Sequence, residues 1–503
     1  MRDRISPGTL VFAAAAVVLA LPCLVFRYLP MTDLPQHQAV LSILLHLDDP
    51  AWGFSAFYER DLAASPYLLP YGLAALLHLA MPLGDAMRAV ASLSVIAAPL
   101  GVFAALRALR RPAWPALLAL ALAYDRAFFF GFVNLKLGIG FGLLAIAAAL
   151  ADPQTARARV AGAAATLAAA FTHPYGLALP VAFLAVQAAA GGGLRALASR
   201  WAVWVPAVAT GVAWAFAGSA AQGYDEPIDP PLLDRVLDFP AQVLGGYRDP
   251  TEAALLLVIA AGIALGAARF RWRAATPADR ALVLLAVANL ALYALLPQAT
   301  GTAKFVHFRH AALALLLVLP VLEAGRPARI AAVACAVFAA ANAWLHLWAF
   351  DAEARGFDAV RAAIPAGARV ASLAIDRDGE VMRTAPYLHF AAYAQADAGG
   401  LPAVTFPRLF WNLPVRFRED AGVPPTPVRF EWNPRLYSHK EFGHFYDHVL
   451  VRRPGPAVLG TAPDFPCEPA LVAPPWQLYR AIRGVAPRHG ADRSYRRAAR
   501  GGS

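Results

Sequence analysis

Pro30-Met31-Thr32-Asp33-Leu34-Pro35-Gln36-His37-Gln38-Ala39 follows directly on the first apolar segment of the chain. An acidic residue and a histidine four apart are costly to keep at the mouth of a membrane span, and an ionisable residue at that depth reads first as functional. The stretch also carries a helix start. Asp33 stands at the cap, Gln36 at the reciprocal capping-box position, and Pro35 in the first turn, where its missing N–H costs nothing. Beyond it, His37, Leu41, Leu44 and Asp48 share one face and Gln36, Val40, Ile43 and Leu47 the next. The pattern predicts a helix lying along the membrane surface, its polar start held over a bundle.

The rest of the chain supplies the bundle. Of 503 residues, 59% are hydrophobic and only 15% charged, with a mean hydropathy of +0.51. An ordinary soluble chain is about a quarter charged, so this composition is that of a polytopic membrane protein. The net charge of +11 sits mostly on arginines in short loops, where the positive-inside rule puts them, and does not indicate a nucleic-acid partner. Lysine occurs only at Lys136, Lys304 and Lys440. Cys23, Cys335 and Cys467 build neither a disulfide framework nor a zinc-spaced cluster. Arg2 and Arg4 before an apolar run resemble a signal peptide; the expectation is a retained anchor.

A span takes about 20 apolar residues. Candidates are 8–26, 66–83, 89–106, 113–130, 135–151, 158–172, 174–190, 201–217, 252–268, 281–297, 308–324 and 328–348. The arginine clusters at 107–111, 157–159, 195–200, 269–273 and 326–329 all face the cytoplasm if 66–83, with its three prolines, is interfacial or re-entrant. About eleven crossings then remain, with the first outer loop at 27–88 and the C-terminal region outside.

From about residue 350 the apolar runs shorten. Phe357–Ile364 reads as a short helix, followed by strand-like pieces at Ala368–Ala374, Ala403–Phe406 and His448–Val451. The expected organisation is a mainly α transmembrane bundle over 1–349, a small α/β domain on the outer face over 350–485, and a basic disordered tail over 486–503.

One N-terminal span, then an outer loop opening on an acidic residue and continuing as a helix, resembles the GT-C class of membrane glycosyltransferases, which includes protein O-mannosyltransferases and the aminoarabinose transferases of lipid A. The resemblance implies a sugar on a polyprenyl phosphate as donor, with Asp33 as base or metal ligand. It carries a divalent metal ion as an expected cofactor, and a bacterial inner-membrane location. Many members have two adjacent acidic residues here, whereas Asp33 is followed by Leu34.

Such a transferase must hold a phosphate and activate an acceptor hydroxyl or amine. Arginine and lysine serve the first task, a carboxylate the second. Asp33 is the base candidate, and capping is its other reading. With His37 one turn on, it could bind a metal ion; alternatively His37 is a polar residue at headgroup level. Lys304, His307, Arg309 and His310 form the strongest cationic group, spaced to share a helix face and assigned to the donor phosphate, with snorkelling at the headgroups as the bland alternative. Asp125-Arg126 is either a self-satisfied ion pair or a second catalytic acidic position. Arg126, Lys136 and His173 complete the expected substrate-binding set, His173 having helix-end packing as its alternative. On the outer side the loop 218–250 adds Tyr224, Asp225, Glu226, Asp229 and Arg235. Two rival functions stand beside the enzyme: a transporter or flippase of a lipid-linked saccharide, and an inactive GT-C-like scaffold in envelope assembly.

Overall fold

The computed structural model describes residues 6–63, 65–217, 230–300, 303–323, 325–427, 430–453 and 466–482. Tyr224, Asp225, Glu226, Asp229 and the basic tail lie outside them. Six helices are long and apolar enough to cross a membrane: Pro7–Val25, Leu83–Ala108, Val133–Leu150, Pro174–Ser199, Pro277–Leu295 and Arg326–Ala354. Shorter apolar helices stand at Leu68–His78, Trp201–Trp214, Thr251–Ala267 and Arg309–Val321. Leu68–His78 has 11 residues, about 16 Å of helix, where the sequence had suggested a non-crossing segment. The bundle presents Val17, Leu24, Leu257, Val287, Ile330 and Leu345 outward. Lipid solvates such side chains, whereas a soluble protein would have to cover them.

The stretch 113–130, expected as one span, is broken. Pro115–Ala121 is a seven-residue helix, and after a turn Asp125 caps a second short helix, Arg126–Phe130, by accepting from the Phe128 N–H. Ala116–Ala123 are buried throughout, so their hydrophobicity reflects a position inside the bundle rather than contact with lipid. Leu83–Ala108 and Val133–Leu150 approach so closely that a Cβ on Gly140 would stand 2.4 Å from that of Ala97. Small residues allow this contact in a membrane, where dispersion packing must replace the hydrophobic effect.

The helix Arg326–Ala354 runs 29 residues, about 43 Å, and outreaches a ~30 Å hydrocarbon core to enter the C-terminal domain. There Asp351 accepts from the Tyr28 N–H at 2.8 Å and pairs with Arg355. The domain holds a five-stranded mixed sheet in the order Leu401–Pro402, Arg369–Ala374, His448–Arg452, Trp476–Ala481, Cys467–Ala473. The first three strands are parallel and the last two antiparallel. His448–Arg452 is buried at every position, as a central strand covered on both faces must be. The expected strand at Ala403–Phe406 is displaced: pairing ends at Pro402, and Phe406 opens the short helix Phe406–Leu409.

The helix after Asp33, Leu34–His46, is closed off from water on its outer side. Residues Leu34–Ile43 are all buried, because the C-terminal domain covers the side expected to face water. Ser42 Oγ donates to the Ala396 carbonyl at 2.9 Å, and Gln36 bonds the Val404 carbonyl and the Phe406 N–H. Tyr58–Arg60 adds a two-stranded antiparallel pairing with Val415–Phe417. The first loop and the C-terminal domain therefore form one packed unit over the bundle.

Candidate active site

Asp33 is fixed through its backbone. Thr32 N donates to the Phe129 carbonyl at 2.9 Å and Asp33 N to that of Phe130 at 3.1 Å, fastening the first loop to the Arg126–Phe130 helix. Gly131 permits this approach: it sits at φ +82°, and a Cβ there would lie 2.7 Å from the Asp33 nitrogen. Asp33 itself has φ −95° and ψ −9°, and its side chain makes no capping bond. The capping box with Gln36 is absent, since Gln36 is committed to Val404 and Phe406. The carboxylate lines a cavity of about 170 Å³ between bundle and C-terminal domain.

Five parts of the chain deliver the charged and imidazole lining with Asn134: Asp33 and His37 from the first loop, Asn134 from Val133–Leu150, His173 before Pro174, Arg309 at the start of its helix, and His389 and Glu431 from the C-terminal domain. Aromatic residues, among them Tyr67, Phe130, Phe406, Phe410 and Trp432, make the walls. Arg309 donates from Nε to the Phe305 carbonyl at 3.2 Å, and its guanidinium lies over the rings of Phe132 and Tyr175 at 5.1 and 5.6 Å. It is within electrostatic reach of Asp33. The cavity thus holds one guanidinium, two carboxylates and three imidazoles.

His37 is occupied by structure. Its Nδ1 lies 2.7 Å from the Tyr71 hydroxyl, while burial pushes its pKa down to about 4. The Tyr71 bond engages one of the two ring nitrogens. Among the described residues no group of three His, Cys, Asp or Glu side chains is arranged to hold one. His173 also has a structural bond, accepting from the Tyr175 N–H at Nδ1 while its ring stacks on Tyr67.

The other expected residues fall beside this cavity. Asp125 Oδ1 accepts from Lys136 Nζ at 2.7 Å and from Phe128 N at 2.9 Å, so its ion-pair partner is Lys136 rather than Arg126. Arg126 donates to the Ala241 carbonyl and lies over the Phe130 and Phe308 rings. These three residues line a void of only about 20 Å³, which Arg309 also borders. The shared helix face expected for 304–310 does not form, because the helix begins at Arg309 and Phe305 has a positive φ of 56°. Lys304 ends a two-residue strand and its side chain is outside the description. His310 bonds Asn289 at 2.7 Å, and His307 packs on the Tyr293 ring.

Sequence reasoning missed His389 and Glu431. Each stands alone among aromatic residues, in Tyr387-Leu388-His389-Phe390 and Phe430-Glu431-Trp432. A lone carboxylate between two large rings was the available signal.

This architecture, a helical membrane bundle with a mixed-sheet domain closing a polar cavity over its end, is GT-C-like, a likeness of fold alone. In particular, the chain is similar to ArnT from Cupriavidus metallidurans. The structure of that protein bound to undecaprenyl phosphate aligns at TM-score 0.55 with 13% identity, covering 95% of this chain and 99% of the other. Its apo structure aligns at TM-score 0.51 with 11% identity and the same coverage. An oligosaccharyltransferase of Archaeoglobus fulgidus, in complex with zinc and sulfate, reaches TM-score 0.47 at 12% identity over 88% of this chain and 68% of its own, too loose a likeness to bear on a metal here. No protein-family model and no curated protein matches the sequence.

Proposed function

We propose that the protein is a membrane glycosyltransferase that moves a sugar from a polyprenyl-phosphate carrier to an acceptor on the outer face of the bacterial inner membrane. The observation that carries this reading is the shared cavity of Asp33 and Arg309, at the junction of bundle and C-terminal domain. Its neighbour in fold, ArnT, holds undecaprenyl phosphate.

Orientation supports it. Arg111 bonds Asp279 at 2.8 Å, Arg269 lies against Gly325, and Arg200 donates to the Ala149 carbonyl, so the basic clusters gather at one end of the bundle. Asn134 and Ala354 stand at the opposite ends of their helices, with the cavity and the C-terminal domain. Positive charge favours the cytoplasmic end, which supports reading the site as an outer one.

In the reaction Asp33 takes the proton from an acceptor O–H or N–H. The acceptor atom bonds to the anomeric carbon as the bond from that carbon to the phosphate oxygen breaks. Polyprenyl phosphate leaves with its charge facing Arg309, whose guanidinium suits two phosphate oxygens.

The test is Asp33→Asn in proteoliposomes, with release of undecaprenyl phosphate measured from a set of undecaprenyl-phosphate-linked pentoses and hexoses. Losing a general base costs about 10²–10⁴-fold in rate. Because Asp33 makes no capping bond, neither the Asn nor the Ala variant should lose stability through a missing cap. A fully active Asn variant rules out Asp33 as base.

A further inference from the structure

His389 stands between two carboxylates that come from opposite ends of the chain. Its Nε2 lies 3.6 Å from Asp33 Oδ1 and 4.0 Å from Glu431 Oε2. The side chain is 4% exposed and meets the Phe406 ring edge-on at 5.4 Å between centroids. Burial pushes the imidazole down to about 3, and the nearby His37 adds to the shift, so the ring is neutral at working pH. A neutral imidazole carries one N–H. Nδ1 is buried and has no hydrogen-bond partner among the described residues. A proton there would be stranded, whereas on Nε2 it faces two anions.

We propose that His389 is a positioning residue whose Nε2–H holds Asp33 on one side and Glu431 on the other, so that the C-terminal domain contributes a second carboxylate to the transfer site. The inference rests on Asp33 as the base. Both contacts exceed hydrogen-bond length, as catalytic contacts often do before substrate closes the site. A fixed donor decides which Asp33 oxygen is left to take the acceptor proton, the role an orienting group plays beside any base. The carboxylate oxygens are no more than about 8 Å apart across the ring, and like charges that near raise each other's pKa toward working pH. The other groups facing this trio are Arg309, which opposes the rise, and His37, His173 and Tyr67 on the cavity wall; Arg377 lies over the Trp432 ring beside Glu431.

The experiment uses the full chain in lipid nanodiscs, labelled with ¹⁵N-histidine. His389→Gln removes one resonance pair and assigns it; if that variant does not fold, the response to Asp33→Asn assigns it instead. We expect the Nε2–H tautomer from about pH 5 to 8, with a shift that follows the titration of the neighbouring carboxylates. Glu431→Gln should lower the remaining midpoint by roughly one pH unit, because a like charge has gone. An Nδ1–H tautomer, or a Glu431→Gln titration superimposable on wild type, overturns the proposal. If that happens while Asp33→Asn is inactive in transfer, the base survives and only the coupling falls. An active Asp33→Asn removes the base, whatever the tautomer.

Discussion

Replacing Gln36 by leucine should cost about 2–5 kcal/mol of stability. Gln36 is 1% exposed, donates from Nε2 to the Val404 carbonyl at 2.9 Å and accepts from the Phe406 N–H at 3.1 Å. Phe406 opens a short helix, so its N–H is one of the first-turn donors that the helix itself leaves unmatched. Leucine has nearly the same volume, and little of the loss would come from packing. What remains is a part-buried carbonyl and a buried N–H, both unmatched, at about 1–2 kcal/mol for the first and about 1–3 kcal/mol for the second. Gln38→Leu, two residues along the same helix, is the control: no hydrogen bond of its side chain is seen among the described residues, and it lines an open cavity with Gly84 and Arg361. Equilibrium denaturation in detergent micelles, followed by circular dichroism, gives the two differences. Hydrogen exchange should report faster opening at Val404–Phe406 in the Gln36 variant only. Equal stabilities for the two variants, within about 0.5 kcal/mol, would refute the reasoning and leave the first loop held by packing alone.

Arg309→Ala should weaken undecaprenyl phosphate binding about tenfold to a hundredfold, read as a thermal-shift titration; unchanged affinity would return Arg309 to packing on Phe132 and Tyr175. Gly131→Ala should destabilise by at least about 1–2 kcal/mol, because φ is +82° and the new Cβ meets the Asp33 backbone, and denaturation midpoints check it. Stability should also fall with acid. His37 is held at about 4 and His389 at about 3, against about 6.5 when unfolded, so below 6.5 the unfolded chain binds protons that the fold refuses. The loss should begin near pH 6.5 and reach roughly 3 kcal/mol from His37 by pH 4. A flat unfolding midpoint over that interval would show the two rings to be protonated in the fold.

Apolar length made most of the bundle legible. Runs such as 89–106 and 328–348 lie within the helices Leu83–Ala108 and Arg326–Ala354. The stretch 113–130 misled because burial inside protein and burial in lipid select the same residues, and only the turn at Tyr124-Asp125 separates them. Asp33 was legible as an ionisable residue at a span's mouth, but its cap was not testable in sequence: Asp and Gln three apart satisfy the pattern whether or not their side chains are claimed from elsewhere. Gln36 is claimed by Val404 and Phe406, and no local rule reaches that far along a chain. Glu431 and His389 were hidden for the same reason, as their chemistry exists only once the C-terminal domain is laid on Asp33. The short antiparallel strands Cys467–Ala473 and Trp476–Ala481 alternate too weakly to declare themselves.

The cavity's walls also carry a schedule. Asp33 leaves the ribosome nearly 400 residues ahead of Glu431, which at about 5–20 residues per second is roughly 20–80 s. Through that interval the spans are already entering the bilayer, while His389, Phe406 and Trp432 have yet to be translated. Gln36 meanwhile waits for the two backbone groups it will bind. A nascent chain therefore carries the carboxylate without its chamber, and the site is finished only after the last part of the protein has folded back onto the first.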